Sequence, residues 1–157
     1  MRPAIFALKR AYQATEKALN EGLACYGLTL AQLDVLIALQ GQEGLEQRDL
    51  QARLGVTSAT LTRVLDGMVS RQLVRRGPSA RDARVNVVAA TVQGTGVLAE
   101  LLAREEATFA ARFAAGLAPD DLRCLTRWLN RIAQNMGDTS RRIYDEPAAT
   151  MPVSPAS

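Results

Sequence analysis

The sequence of 157 residues contains no histidine, only two cysteines and few aromatic residues, at 4%. The absence of histidine removes the commonest general base, the commonest metal ligand and every Ser/His or Cys/His nucleophile pair. Neighbouring carboxylates such as Asp120 and Asp121 point to different sides of a helix, so they do not form an acid–base pair. The sequence therefore argues against an enzyme, and we expect no catalytic residues, no metal site and no cofactor.

Long apolar runs are absent as well. No stretch approaches the roughly 20 apolar residues that a transmembrane helix needs, and charged residues such as Lys9 and Arg10 interrupt the N-terminal segment, unlike the core of a signal peptide. The two cysteines, Cys25 and Cys124, lie far apart without the spacing of metal ligands. We expect a soluble protein that stays in the cytoplasm and binds no membrane, with both cysteines as thiols, Cys25 buried and Cys124 interfacial or exposed.

Apolar residues recur at three- and four-residue intervals in three long segments, which predicts amphipathic helices. These segments span about Pro3–Tyr26, Thr91–Ala115 and Pro119–Met136. Beyond about Asp145 the chain is rich in proline, alanine and serine, a composition that favours disorder. Both ends of the ordered chain are therefore predicted to be helical.

Three shorter helices are predicted between these segments. Thr29 and Gln32 have the spacing of a capping box, which places a helix start at Thr29. A second helix covers Arg48–Leu54 and is ended by Gly55. Thr57 then caps a third helix, whose apolar side consists of Leu61, Val64, Leu65 and Met68.

A β-hairpin is predicted after the third short helix. The segments Leu73–Arg76 and Val85–Ala90 are enriched in β-branched residues, and Gly77-Pro78-Ser79 supplies turn residues between them. From Leu45 to Thr91 the chain carries eight arginines and four acidic residues, whereas the net charge of the whole chain is only +3. A positive region on a nearly neutral body suits a polyanionic partner.

The order of these elements, two short helices separated by LGVTS and then a basic hairpin, predicts a winged helix-turn-helix. The major groove of DNA admits an α-helix whose outward residues are small, and the hairpin, or wing, reaches the minor groove alongside. The predicted DNA contacts of the recognition helix are Thr57, Ser58, Ala59, Thr60, Thr62 and Arg63, and those of the wing are Arg76, Arg81, Asp82 and Arg84. Asp82 is expected to pair with Arg84 and hold the wing tip in shape.

These residues resemble the DNA-binding core of the MarR family of bacterial transcription regulators. The resemblance rests on the segment Ser58–Arg76 (SATLTRVLDGMVSRQLVRR), on the wing motif Asp82-Ala83-Arg84 and on Thr91–Gly94, which opens the following helix. It covers about Tyr12 to Met136. In the wing motif Ala83 stands where the family more often has arginine, which implies one phosphate contact fewer.

The resemblance implies a homodimer that places two recognition helices on a pseudo-palindromic double-stranded operator. It also implies a repressor that releases DNA on binding a small aromatic acid or phenol, with Arg10, Tyr12 and Tyr26 as candidate ligand-binding residues. The corresponding domains are a helical dimerisation region at 1–27 and 92–144, a winged helix-turn-helix lobe at 28–91 and a disordered tail at 145–157. The apolar stripes of the long helices agree, because one small winged domain cannot cover them all.

Two alternatives remain open from the sequence. Some relatives sense oxidants through a reactive cysteine, so Cys25 is a candidate redox sensor, although no cationic residue stands beside it in the sequence to activate the thiol. A winged helix can also dock protein partners instead of DNA. The basic character of Arg63 and Arg84, without apolar residues beside them, favours DNA.

Overall fold

The computed structural model describes residues 1–78 and 85–138, and within these ranges the chain forms six helices and three strands. The elements are α1 Arg2–Ala24, α2 Leu30–Leu39, β1 Leu45–Glu46, α3 Gln47–Leu54, α4 Ser58–Ser70, β2 Val74–Pro78, β3 Asn86–Ala90, α5 Val92–Ala114 and α6 Pro119–Asn135. The predicted fold class, mainly α with a small β-hairpin wing, is confirmed. The wing tip and the predicted tail at 145–157 lie outside the described residues.

No helix among residues 1–78 and 85–138 is both long enough and apolar enough to cross a membrane.

The helix starts follow the predicted caps. The Thr29 hydroxyl accepts a hydrogen bond from the Gln32 backbone N–H (3.3 Å), and the Gln32 side-chain oxygen accepts one from the Thr29 N–H (3.1 Å), completing the capping box. The Thr57 hydroxyl accepts from the backbone N–H of Thr60 at 3.2 Å and starts α4. Gly55 ends α3 in the left-handed conformation, with φ of 63°.

The sheet has three antiparallel strands in the order β1-β3-β2, so β3 is central. Val88 of β3 lies opposite Leu45 on one side and Arg76 on the other. Strand β1 was not predicted from the sequence, because two residues are too short for an alternating pattern to be visible. β1 forms only by pairing with β3, which lies about forty residues further along the chain.

The core is built around α2, which is buried on most of its circumference. The buried residues include Leu33, Val35, Leu36, Ala38 and Leu39 of α2, Leu50 of α3, Leu61, Leu65 and Met68 of α4, Leu73, Val74, Val88 and Ala89 in or beside the sheet, and Leu98 and Leu101 of α5. The core therefore joins the three short helices, the sheet and the first half of α5 into one packed body.

The junction between the sheet and α5 explains the Thr91–Gly94 motif. The Thr91 hydroxyl accepts a hydrogen bond from the Gly94 N–H (3.0 Å) and donates to the backbone carbonyl of Gln72 (2.5 Å). A Cβ atom at position 94 would overlap the carbonyl oxygen of Leu73. Only glycine therefore lets the first turn of α5 pack this closely against the backbone of Leu73, just before β2.

Helices α1 and α6 contribute little to this core. Leu23 is the one residue of α1 that is buried, and none of α6 is, although both helices lie wholly within the described residues. Their exposed apolar side chains include Ile5, Phe6, Leu8 and Tyr12 on α1 and Leu125, Trp128, Leu129, Ile132 and Met136 on α6. Within a single chain these two helices leave broad apolar faces uncovered.

The prediction of a buried thiol is wrong for Cys25 in the single chain, whereas Cys124, which was expected to be interfacial or exposed, is exposed. Cys25 and Cys124 are both exposed and neither forms a disulfide. Cys25 is the residue that follows the last turn of α1. Cys124 lies on α6, which does not enter the core. Their position outside the core, rather than their chemistry, decides their exposure.

Candidate nucleic-acid interface

The first two turns of α4 form an exposed face of small polar side chains. All six predicted contact residues are exposed: Thr57, Ser58, Ala59, Thr60, Thr62 and Arg63. The apolar side of the same helix is anchored by the buried residues Leu61, Leu65 and Met68. Because the apolar side is packed into the core, the position of the outer face is fixed. Its small side chains would let the helix approach the floor of a DNA groove.

The threonines of this face are already partly engaged within the protein. The Thr57 and Thr60 hydroxyl oxygens lie 2.9 Å apart and share a hydrogen bond, in addition to the cap bond at Thr57. The Thr62 hydroxyl accepts a hydrogen bond from the Gln47 side-chain amide at 3.2 Å. These bonds fix the threonine rotamers. Gln47, at the start of α3, was missed because a contact across 15 residues leaves no local pattern.

Arg63 projects from the middle of this face. Its side chain is exposed and makes no hydrogen bond or ion pair with any residue that the structure describes. Its five N–H donors are therefore available for a base edge or a phosphate. Arg63 is the charged group on α4 that is best placed to bind an external anion.

Arg76 of β2 reaches back to α4 rather than outward. Its Nη1 lies 2.7 Å from Asp66 Oδ1, and its Nη2 donates to the backbone carbonyl of Thr62 at 3.4 Å. Arg75, the preceding residue, is exposed. The two neighbouring arginines of β2 thus differ, because the alternation of a strand directs one toward α4 and the other away from it.

Three predicted wing residues, Arg81, Asp82 and Arg84, lie outside the described residues. The described part of the hairpin ends at Pro78 and resumes before β3, with Pro78 paired to Asn86. Their expected contacts with DNA and with one another stay predictions.

The candidate ligand-binding residues do not come together in one site. Arg10 and Tyr12 are exposed on α1, whereas Tyr26 follows the end of that helix and packs partly buried against the core. At 1.5 Å of rise per residue, Tyr12 and Tyr26 lie roughly 20 Å apart along the chain axis. No single small molecule could touch both of these tyrosines within one chain.

A cavity of about 150 Å³ lies instead between α1, α2 and α5. Its apolar lining includes Leu19, Leu23, Leu33, Leu101 and Phe109, and its polar lining includes Glu21, Thr108 and Arg112. Two of the lining residues, Leu19 and Leu23, belong to the apolar stripe that the sequence predicts on α1. Phe109 belongs to the stripe predicted on the helix that the structure shows as α5. The stripes indicated burial but could not show that three elements leave a gap between them.

Arg71 links the end of α4 to the chain just past the end of α1. It is the residue that ends α4, and its Nη1 and Nη2 donate to the backbone carbonyls of Gly27 (2.5 Å) and Tyr26 (3.2 Å), just past the end of α1. Gly27 has φ of 60°. The guanidinium satisfies carbonyls that a helix end leaves without intrahelical partners.

Comparison with known proteins agrees with this geometry. The profile of the MarR family matches residues 26–85. The uncharacterized HTH-type transcriptional regulator YdgJ of Bacillus subtilis (strain 168) is 29% identical over 115 residues, which cover 73% of this chain and 70% of YdgJ. The HTH-type transcriptional repressor MdtR of the same organism is 25% identical over 128 residues, 82% of each chain.

A solved structure extends the likeness to the whole described fold. The crystal structure of a mutant MarR from E. coli complexed with operator DNA superposes with a TM-score of 0.76 at 25% identity, covering 83% of this chain and 93% of that one. These relatives carry the names of transcriptional regulators and not of enzymes, in agreement with the sequence analysis.

Proposed function

We propose, from the match to the MarR family of transcription regulators and the DNA-binding winged-helix fold, that the protein is a homodimeric repressor released by a small aromatic acid or phenol. α4 is its recognition helix and enters the major groove of a pseudo-palindromic operator. Thr57, Ser58, Ala59, Thr60, Thr62 and Arg63 contact the DNA, and the wing residues Arg81 and Arg84 enter the adjacent minor groove. Because its partner is chromosomal DNA, we place the protein in the cytoplasm.

The observation that carries this proposal is the outer face of α4. Arg63, which has no partner in the part of the chain that the structure describes, stands among side chains no larger than threonine, on a helix whose opposite side is packed into the core. Arg63 can form two parallel hydrogen bonds with guanine or bind a phosphate, and Ala59 leaves room for a thymine methyl group. A face of this shape suits direct contact with base edges better than docking of an apolar protein surface.

Dimerisation is supported by the apolar faces of α1 and α6. Trp128 is 61% exposed and Phe6 64% exposed in the single chain. A second copy would cover these faces through the same patch on both subunits, as in a twofold dimer. It would also present two recognition helices at a spacing of about one turn of DNA. The dimerisation region then comprises 1–27 and 92–144, and the lobe 28–91.

The effector is supported by the cavity between α1, α2 and α5. Its volume of about 150 Å³ is comparable to that of a cavity that holds one benzene ring. Leucines and Phe109 supply apolar walls, and Arg112, whose side chain is exposed, supplies a cation at the edge for a carboxylate. Because the cavity joins the lobe to the long helices, a ligand there would favour a different lobe spacing.

The test begins with selection of duplexes from a random library by the purified wild-type protein. Enriched pseudo-palindromic duplexes, bound tightly and released by rising salt, would support the repressor; no enrichment would refute it. Benzoate and phenol are then titrated into the complex by fluorescence anisotropy, with Arg112→Gln as the matched variant. The cavity is supported if benzoate and phenol both release the DNA and Arg112→Gln weakens the effect of benzoate but not that of phenol. Redox sensing is supported instead if only hydrogen peroxide releases the DNA and Cys25→Ser abolishes that release.

A further inference from the structure

Asp66 is an acidic residue in an unfavourable place for a DNA-binding helix. It lies one turn beyond Arg63 on the outer side of α4, and its side chain is 59% exposed. An unpaired carboxylate there would repel the phosphate backbone, which carries one negative charge per about 1.7 Å of duplex. The position calls for a neighbouring group that neutralises the carboxylate.

Arg76 is that group, and it does more than neutralise. One of its terminal nitrogens binds the carboxylate of Asp66 at 2.7 Å, and the other donates to the Thr62 carbonyl at 3.4 Å, one turn earlier on α4. Its own backbone is fixed by pairing with Val88, which is 2% exposed in the core. A single guanidinium thus joins two turns of the recognition helix to a strand of fixed position.

The opposite flank of α4 is held at the same level. The Gln47 amide donates to the hydroxyl of Thr62, whose carbonyl accepts from Arg76. Thr62 is therefore bound from α3 on one side and from β2 on the other. Rotation of α4 about its own axis would break both contacts, and such a rotation is what would misdirect Arg63.

Fold stability gives no sufficient reason for the Arg76–Asp66 pair. The two side chains are 36% and 59% exposed, and exposed ion pairs stabilise a fold very little because water and salt screen them. Helix orientation and phosphate repulsion, by contrast, both matter at a DNA interface. The Arg76 contacts act on both, because they hold the orientation of α4 and neutralise the carboxylate of Asp66.

We propose that Arg76 is a positioning residue for operator recognition, which fixes the rotation of α4 through Asp66 and Thr62 and cancels the charge of Asp66. This role rests on the proposed function. It replaces the DNA contact that the sequence predicts for Arg76, because both terminal nitrogens of its guanidinium bind groups of α4.

The test is a double variant that keeps the net charge, Asp66→Asn with Arg76→Met. Its affinity is measured for a duplex selected by the wild-type protein and for a random-sequence duplex, over a salt series. We expect affinity for the selected duplex to fall about tenfold, affinity for the random duplex to stay within twofold, and the slope of log K against log salt to match wild type. The thermal unfolding midpoint should change by less than about 2 °C.

A phosphate contact would give a different result. Both affinities would fall by the same factor, and the slope would decrease in size by about 0.9. A merely structural pair would lower the unfolding midpoint and both affinities together. Either result, or unchanged selectivity, overturns the positioning role.

A matched control is Arg104→Gln, which breaks the exposed Arg104–Glu100 pair on α5 (3.4 Å) away from α4. It should change neither affinity nor selectivity. If the wild-type protein enriches no duplex at all, the proposed function is wrong, and the positioning role of Arg76, which depends on it, is wrong as well. If it enriches a duplex that the double variant still prefers to the same degree, only the positioning role fails.

Discussion

Two regions of the molecule differ in how completely a single chain buries their apolar residues. They are the winged region, Leu30–Ala90, and the outer helices, α1 and α6. Leu36 and Leu50 of the winged region are 1% and 0% exposed, whereas Phe6 and Trp128 on the outer helices are 64% and 61% exposed. The winged region therefore buries its apolar residues within its own chain. The outer helices have apolar faces that need a second surface.

The same contrast appears at the helix starts. Thr29 and Thr57 in the winged region both accept cap hydrogen bonds, as does Thr91 at the start of α5. The outer helices begin after Met1 and Ala118, which make no side-chain cap bond. Two of the three helices of the winged region thus begin with a side-chain cap bond, and α3, which begins after Glu46, does not.

The largest effect should come from emptying the core of the winged region. Leu36→Ala removes a fully buried side chain and leaves a cavity, so we expect the free energy of unfolding to fall by about 2–5 kcal/mol. Urea denaturation measures it, with Gln13→Ala, a change of an exposed polar residue on α1, as control. Equal losses in the two variants would remove the distinction between the regions.

The next effect should fall on assembly. Leu129→Asp combined with Ile132→Asp places charges on the apolar face of α6, and we expect the dimer dissociation constant to rise at least about 100-fold, or roughly 3 kcal/mol. Analytical ultracentrifugation measures it. Arg131→Gln, a nearby exposed change on the same helix, should leave the dimer intact. A dimer that survives the double change would show that α6 packs elsewhere.

DNA binding should be confined to the winged region. Arg63→Ala removes the free guanidinium of α4, and we expect the affinity for a selected duplex to fall by about 1–3 kcal/mol. Fluorescence anisotropy measures the loss, with Arg131→Ala on α6 as the matched arginine change. If Arg131→Ala weakens binding as much as Arg63→Ala does, the outer helices also contact DNA.

A smaller effect should come from the cap of α4. Thr57→Ala removes the acceptor for the Thr60 N–H, and we expect about 1 kcal/mol less stability. Thr57→Ser keeps the hydroxyl and serves as control. Thermal unfolding of the two variants should differ by several degrees; identical midpoints would show that the cap contributes nothing.

The smallest effect should be a gain. Ala118→Ser would add a hydroxyl at the start of α6, where Asp121 already accepts from the Ala118 N–H at 2.9 Å and so supplies half of a capping box. We expect a gain of about 0.5 kcal/mol, seen as a small rise in the unfolding midpoint. A loss would indicate that a different residue starts this helix.

Local order was predictable from the sequence, and long-range contact was not. The caps at Thr29 and Thr57 and the helix end at Gly55 follow from residue type and spacing, and the structure confirms them. Strand β1 was missed, because it depends on pairing with a distant strand. The Arg76–Asp66 pair could not be foreseen either, since it requires knowing how β2 lies against α4.

The cavity and the cysteines show the same limit at a larger scale. A stripe of leucines indicates that a helix is covered, but not whether its neighbours leave a gap beside Leu23 or Phe109. Cysteine is usually buried, and Cys25 is exposed because it lies past the last turn of α1. Such features depend on where helices end relative to one another.

The bonds of Arg71 to Tyr26 and Gly27 make α4 a lever with a fixed attachment at one end. The helix has 13 residues and is about 20 Å long, with Arg71 at its last turn and Thr57 at its first. Because Leu61, Leu65 and Met68 bind α4 into the core, a displacement of the end of α1 would turn the winged region as one body, and the end of α4 farthest from Arg71 would move the most. Small movements of the long helices would thus produce larger displacements at the first turn of α4.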